Sequence, residues 1–396
     1  MAEATKTKAI RILVDTQCLA GRFQNHGIYQ YARHLLTQFR VMALEHSAEV
    51  LPFVCHADDN DANQFRPAPG FTPVEAGLLR LRRLWTYGGA CLSSYRQRAD
   101  VVFCPSFTSL HPGPRPVVTT IHDATPVVMP TFAGSVTLKM RFQMWNAAKF
   151  SRAIITDSEW SRQDVIRLYG LPPAKVSVVY LGYDKDHFNT RPADPRKRAE
   201  LLKAHGIERP FVLHHGVIQP RKNLQRLVQA YRLLLSRRPG LELDLVLAGP
   251  KGWLFEEIME EIRSGAVPRE KIILTGALSD ADLGMLIKSA RLVAIPSLYE
   301  GFCLPMVEAM ACGVPTIASS ASCLPEISGG TLRYFDPLSV EEMAVQMETA
   351  LLDDGLRADL TRKGLERAAS FDWRRCAEQT LELLVRVGQN GKADRN

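Results

Sequence analysis

Pro296-Ser297-Leu298-Tyr299-Glu300-Gly301-Phe302-Cys303-Leu304-Pro305-Met306-Val307-Glu308-Ala309-Met310-Ala311-Cys312-Gly313-Val314-Pro315 reads as the end of a strand, a loop and the start of a helix. The apolar run 292–296 before it predicts a buried strand, and Glu300-Gly301 a loop at that strand's carboxyl end. Pro305 suits the first turn of the helix, where its missing N–H is no loss. A phosphate or diphosphate beside such a helix start meets unpaired backbone N–H groups and the positive end of the helix dipole. Glu300 lies in the loop and Glu308 one turn inside the helix, so the two carboxylates can contact separate parts of one extended ligand. A fixed carboxylate accepts the paired hydroxyls of a ribose or hexose bidentately. Taken singly, Glu308 is equally an acid complementing the dipole and Glu300 an ordinary loop residue. Their joint placement at one strand–helix junction is the informative feature.

Outward from this stretch, the pattern repeats along the chain. Apolar runs at 10–15, 50–54, 101–104, 116–121, 153–156 and 176–180 are each followed by polar, Pro or Gly residues, and most then by a segment with helical spacing, such as 27–39 and 160–169. After the charged stretch 189–198, read as a linker, a second series follows. Strands are predicted at 211–214, 243–248, 271–274, 292–296 and 316–318, with a helix at 223–237. Strand, loop, helix, strand is the signature of a parallel α/β sheet. The chain is therefore expected to form two doubly wound, Rossmann-like domains, 1–188 and 199–370, with ligands at the carboxyl ends of the strands. A last helix, 373–390, can pack on either domain and is drawn as returning to the first.

The second stretch that carries chemistry is His214-His215-Gly216-Val217-Ile218-Gln219-Pro220-Arg221-Lys222-Asn223. Gly216 permits close backbone approach to a ligand. Arg221 and Lys222 are predicted at a helix start, where the dipole disfavours cations, and this misfit implies a compensating anion. A departing diphosphate needs such neutralisation. The competing reading is a solvated basic helix start. No role is assigned to the His214-His215 pair.

Length and composition bound the rest. The 396 residues exceed one ordinary core, and 46% hydrophobic with 23% charged residues excludes a disordered chain. The eight cysteines form no C-x-x-C pair, which points to a reducing, cytoplasmic setting rather than a disulfide framework or zinc site. The net charge is +7, and residues 1–190 hold 21 basic against 15 acidic side chains. Within that half, Gly77-Leu78-Leu79-Arg80-Leu81-Arg82-Arg83-Leu84-Trp85-Thr86-Tyr87 interleaves arginines with leucines and aromatics. It reads either as a basic amphipathic helix on the inner face of an anionic membrane or as a core-facing helix with solvated arginines. No reading motif accompanies the charge, so nucleic acid is not expected as a partner.

The quoted motifs resemble those of the retaining glycosyltransferases of family four, whose architecture, GT-B, sets two Rossmann-like domains facing across a cleft. The E-x7-E motif of that family matches Glu300 and Glu308, and its R-K pair matches Arg221 and Lys222. In the first half Gly27-Ile28-Tyr29-Gln30-Tyr31, Thr120-Ile121-His122-Asp123-Ala124-Thr125-Pro126, Asp157-Ser158-Glu159-Trp160-Ser161 and Leu181-Gly182-Tyr183-Asp184 occur in family order. The resemblance implies that Glu300 contacts the sugar, Glu308 the ribose, and Arg221 and Lys222 the phosphates. It places Gly27, Gly216 and the segment Gly301, Phe302, Cys303, Leu304 along the donor, and His122 at the sugar or acceptor. The family glycine loop is richer in Gly than this one. No Asp-x-Asp stands where a metal would hold a sugar diphosphate, so no metal is expected, and no cofactor. The implied activity is retaining hexosyl transfer, with mannose from GDP-mannose favoured, to a saccharide or lipid-linked saccharide of a bacterial surface polysaccharide. UDP- or dTDP-sugars (glucose, N-acetylglucosamine, rhamnose) and a non-catalytic nucleotide-sugar-binding protein are the alternatives.

Overall fold

A computed structural model describes residues 9–19, 27–54, 74–75, 97–107, 114–129, 134–264 and 271–393. The basic stretch 77–87 lies outside these residues. The chain divides into two units, Met1–Gly182 with Asp372–Asn396, and Tyr183–Phe371.

In the first unit, β1 (Ile10–Asp15), β2 (Ala48–Val54), β3 (Val74–Glu75), β4 (Val101–Cys104), β5 (Val117–Thr120), β6 (Ala153–Thr156) and β7 (Val176–Val178) form one sheet, ordered β3-β2-β1-β4-β5-β6-β7. Every pairing is parallel, with Ile12 opposite Val50 on one side and Val101 on the other. A parallel sheet buries both faces, which is why β4, β5 and β6 are buried at every position instead of alternating. Helix Gly27–Met42 inserts Tyr31, Leu35, Leu36, Phe39 and Met42 into the core.

The last helix, Trp373–Ala393, packs on helix Gly27–Met42 and on β1 and β4. The Trp373 ring stacks on His34 at 4.8 Å. Where the chain returns it crosses Gly182 so closely that a Cβ there would lie 2.1 Å from the Trp373 nitrogen. Only a glycine fits that crossing.

In the second unit, β8 (Phe211–His215), β9 (Asp244–Ala248), β10 (Ile272–Gly276), β11 (Leu292–Ile295), β12 (Thr316–Ser319) and β13 (Arg333–Phe335) form a parallel sheet ordered β10-β9-β8-β11-β12-β13. Helix Leu224–Arg237 buries Leu224, Leu227, Val228, Tyr231, Leu234 and Leu235. They pack with Leu245, Leu247, Leu292, Ala294, Met343 and Met347 as one core. Adjacent strands β8 and β11 lead their connections opposite ways, so a crevice opens beyond their carboxyl ends. Both chemistry-bearing stretches follow these two strands.

One expectation is corrected. The stretch 189–198 is not a linker: the units divide between Gly182 and Tyr183, and Pro195–Ala204 is a helix whose start is capped by Asp194, accepting from the Arg196 amide at 2.9 Å. The proline in its first turn marks a helix start here, not a break. The edge strands β3 and β13 escaped the sequence reading because two or three residues show no period. Among the described residues no helix is long and apolar enough to cross a membrane. Cys18, Cys104, Cys303, Cys312, Cys323 and Cys376 are buried and free.

Candidate active site

The loop after β8 turns on two glycines. Gly216 has φ 127° and Gly249, at the end of β9, φ 145°. A Cβ on Gly249 would sit 2.0 Å from the Gly216 carbonyl oxygen, so only glycine fits at 249 where the two loop starts pass. A short 3-10 turn, Pro220–Lys222, follows, and Asn223 stands in the left-handed region at φ 59° before helix Leu224–Arg237 begins. Arg221 and Lys222 therefore stand just before the helix N-cap rather than inside its first turn. The anion beside them belongs to the protein.

That anion is Glu300, buried at 4% exposure beside Lys222, also at 4%. Arg221 Nη1 donates to Glu300 Oε2 and, at 3.1 Å, to the Tyr299 carbonyl; Lys222 Nζ donates to Oε1. Ser297 Oγ donates to Oε1 at 2.7 Å, and Ser322 Oγ accepts from the Glu300 amide at 3.0 Å. Burial alone would raise the Glu300 carboxyl, but the Arg221 and Lys222 charges, with hydrogen bonds from Lys222 and Ser297, hold it down at about 2. A carboxylate offers roughly four lone-pair positions. Three are filled here, leaving capacity for one ligand hydroxyl. An ammonium has three N–H donors, so Glu300 does not exhaust Lys222.

Asn223 stitches the two loops together. Its Nδ2 donates to the carbonyls of Pro296 at 3.0 Å and Pro337 at 2.7 Å, and its Oδ1 accepts from Arg226 at 3.0 Å. The Leu298 amide also donates to the Arg221 carbonyl at 2.8 Å. Asn223→Ala is expected to cost about 3 kcal/mol, from two buried acceptors left unpaired and an alanine in the left-handed region. Urea unfolding measures it, and a loss below about 1 kcal/mol would contradict this stitching role.

Helix Leu304–Ala311 starts after Cys303, which is itself left-handed at φ 71°, and no side chain caps it. Burial first, and then the Glu300 charge, push the Cys303 thiol up to about 12, so it is no thiolate nucleophile at neutral pH. Phe302 is fixed edge-on against Phe371 at 5.2 Å. Glu308 Oε2 lies 3.1 Å from His215 Nε2. On the other side of the crevice, His214 Nδ1 donates to the Ala294 carbonyl at 3.0 Å, tying β8 to β11. Burial and then the Lys222 charge press His214 down to about 3, so it stays neutral.

The structure thus brings Glu300, Arg221, Lys222, Gly216 and the Gly301–Leu304 loop together in the second unit, with Glu308 one turn along. Ser297, Ser322, Asn223 and His215 were not recognised from sequence as parts of this network. Serines at strand ends carry no periodic signal, and His215 and Asn223 stand in the quoted stretch without a role assigned there.

Gly27 and His122 belong to the first unit. Gly27 opens helix Gly27–Met42, and nothing lies within 4 Å of where its Cβ would be, so sterics do not demand glycine there. His122 follows β5, its ring edge-on to Tyr31 at 4.8 Å. Its Nδ1 lies 2.7 Å from Asp157 Oδ2 and its Nε2 2.9 Å from the Pro105 carbonyl. Two acceptors on two ring nitrogens favour the imidazolium. Burial lowers the His122 pKa, but the Asp157 charge and the two hydrogen bonds outweigh that and raise it above 6.5. Both nitrogens are held by protein groups, which fixes the orientation of the His122 ring. Asp123 caps the next turn by accepting from the Thr125 amide at 2.9 Å.

A raised histidine pKa gives stability that is complete below 6.5 and is lost as pH rises through the folded value. Asp157→Asn is expected to lower the His122 pKa by about one unit or more, read by histidine-selective NMR titration. An unchanged titration would show that the pair does not govern His122.

A groove of about 990 Å³ opens at the opposite edge of the second sheet, lined by Pro210, Arg291 and Pro315, which lead into β8, β11 and β12. It lies away from the carboxyl ends of the strands, so cavity size does not mark the charged site. Asp184, His187 and Asp280 bring three ligand-type atoms within 4.8 Å of one another. Asp184 already accepts from His187 at 2.8 Å and from the Asp186 amide at 2.9 Å.

Comparisons with known proteins agree with this architecture. Residues 26–187 match the model described as Glycosyltransferase Family 4, and residues 197–367 that described as Glycosyl transferases group 1. The O-antigen chain mannosyltransferase B of Escherichia coli is 32% identical over 267 residues, 67% of this chain and 68% of that protein. Escherichia coli serotype-specific mannosyltransferase WbdA is 30% identical over 285 residues, 70% of this chain but 34% of that longer protein. In fold, the chain resembles Anabaena Alr3699/HepE in complex with UDP and glucose, with a TM-score of 0.71 at 22% identity, covering 95% of this chain and 99% of that one. It also resembles WaaG, a glycosyltransferase involved in lipopolysaccharide biosynthesis, with a TM-score of 0.64 at 16% identity over 95% of this chain and 99% of that one. Two doubly wound parallel sheets, an acid pair eight residues apart and a cationic doublet after the first strand of the second sheet meet in one chain, which belongs to the GT-B glycosyltransferases of family four.

Proposed function

We propose that this glycosyltransferase moves a hexose, mannose from GDP-mannose, with retention of configuration onto a saccharide or lipid-linked saccharide of a bacterial surface polysaccharide. The observation that carries the proposal is Glu300 clamped by Arg221 and Lys222 at the crevice of the second sheet, with Glu308 one turn into the next helix. Glu300 accepts a sugar hydroxyl at its remaining lone pair, Glu308 a ribose hydroxyl, and Arg221 and Lys222 the diphosphate. The start of the uncapped helix Leu304–Ala311 adds its positive dipole end.

Front-face substitution suits these groups. The acceptor oxygen bonds to the anomeric carbon as the bond from that carbon to the β-phosphate oxygen breaks. The electron pair leaves with the nucleoside diphosphate, and the acceptor proton passes to the departing phosphate oxygen on the same face. The protein's part is positioning and charge stabilisation. Arg221 and Lys222 neutralise the leaving group, and the reaction is proposed to run without a divalent cation. The relatives named for mannosyl transfer support the choice of sugar.

The test is incubation with GDP-mannose, UDP-glucose, UDP-N-acetylglucosamine, dTDP-rhamnose or ADP-glucose and a mannosyl acceptor, with and without EDTA. An α-mannosyl product from GDP-mannose alone, read by NMR and unaffected by EDTA, is expected. Transfer from another donor only, or a β product, overturns the sugar or the retention respectively. A lipid-linked acceptor places the protein at the inner face of the cytoplasmic membrane, with residues 77–87 as the proposed contact. Flotation with anionic vesicles checks this, and a protein left at the bottom of the gradient retires it.

A further inference from the structure

His215 is the last residue of β8, at 1% exposure, and its Nε2 faces Glu308 Oε2 at 3.1 Å across 93 residues of sequence. Because the partner is a carboxylate, Nε2 carries the proton and donates. Its Nδ1 is buried and has no hydrogen-bond partner among the described residues. An unpaired buried polar atom is normally selected against. The first three residues of β8, Phe211, Val212 and Leu213, are apolar, and an aliphatic side chain would fill the place of His215 as well, so packing alone does not call for imidazole. Glu308, by contrast, is reached by solvent at 16% of its side chain and has a flexible stem whose ordering on ligand binding costs rotamer entropy.

We infer that His215 is a positioning residue that fixes the Glu308 carboxylate for the ribose of the donor. This rests on the proposed reading of Glu308 as the ribose-contacting acid. His215 holds Oε2 in place before the donor arrives, leaving Oε1 to accept a ribose hydroxyl. The ordering of the glutamate is then complete in the free protein, and affinity gains what binding does not have to spend on it. The gain applies only to nucleotides that carry ribose hydroxyls.

The experiment measures calorimetric binding of GDP and UDP, each beside its 2′,3′-dideoxy counterpart, to the full chain and to His215→Gln, His215→Asn, Glu308→Gln and the double variant Glu308→Gln with His215→Asn. Glutamine places an amide donor near the Nε2 position, whereas asparagine is too short to reach Glu308, so the two are polar controls for each other. Expected is an affinity loss of about tenfold for the ribonucleotide in His215→Asn. Most of it should return in His215→Gln, with no change for the dideoxynucleotide and no further loss in the double variant. A His215→Asn effect equal on both nucleotides, or equal losses in the Asn and Gln variants, overturns the inference while leaving Glu308 in place. Wild-type protein that binds ribo- and dideoxynucleotides alike, with Glu308→Gln unaffected, overturns the ribose assignment itself and the role of His215 with it.

Discussion

Lys222→Ala is expected to lower turnover by roughly 10²- to 10³-fold, and Arg221→Ala by a similar factor, the loss typical of one group that stabilises developing charge. Charge on the departing diphosphate grows as the bond to the sugar breaks, so the cations matter more in the transition state than in the bound donor. The loss should therefore fall on kcat as well as on kcat/KM. Each single variant leaves Glu300 one cationic partner and the Ser297 hydrogen bond, which keeps the buried carboxylate from being stranded. Thermal melts should show both variants folded. Steady-state rates within tenfold of wild type in either one would contradict the phosphate assignment.

Glu300→Ala combines two large effects. Activity falls by the same 10²- to 10³-fold as the sugar loses its fixed acceptor and the cations lose their alignment. Stability falls too, because Lys222, at 4% exposure, is left as a buried charge beside Arg221. Removing one partner of a buried ion pair costs about 3–5 kcal/mol. The alanine variant is thus not expected to be a silent catalytic knockout, and Glu300→Gln, which keeps the side-chain length and one acceptor oxygen, is the cleaner probe of catalysis. With its carboxyl held at about 2 against an ordinary 4.5, Glu300 contributes stability that is present above pH 4.5 and lost as pH falls toward 2. In Glu300→Gln that share of the acid limb should be missing from pH-dependent unfolding of the second unit. An acid limb identical to wild type would show that Glu300 does not carry this linkage.

Much of the fold was legible because it is written in short-range patterns. Apolar runs such as Val101–Cys104 and Leu292–Ile295 announce strands buried on both faces, and Ser158 announces a helix start, its hydroxyl accepting from the Ser161 amide at 3.1 Å. The acid pair was legible for the same reason, since only seven residues across one strand–loop–helix junction separate its members. Asn189–Arg198 was misread because proline and charge mark helix starts as readily as linkers. The helix start was placed slightly too early at Arg221 and Lys222 because a left-handed Asn223 separates a single 3-10 turn from the helix, a backbone choice that no periodicity shows.

From its sequence alone this protein is determined to be a chain of alternating strands and helices, with two acids after one strand and two cations after another, because each of those features lies within some twenty neighbouring residues. Only the tertiary structure decides that Glu300 neutralises Arg221 and Lys222, that His215 meets Glu308, that Asp157 meets His122, and that the final helix returns to the first unit. These partners are brought together by the order of strands in two parallel sheets. That order follows from the burial of whole faces, and no local pattern of residues encodes it.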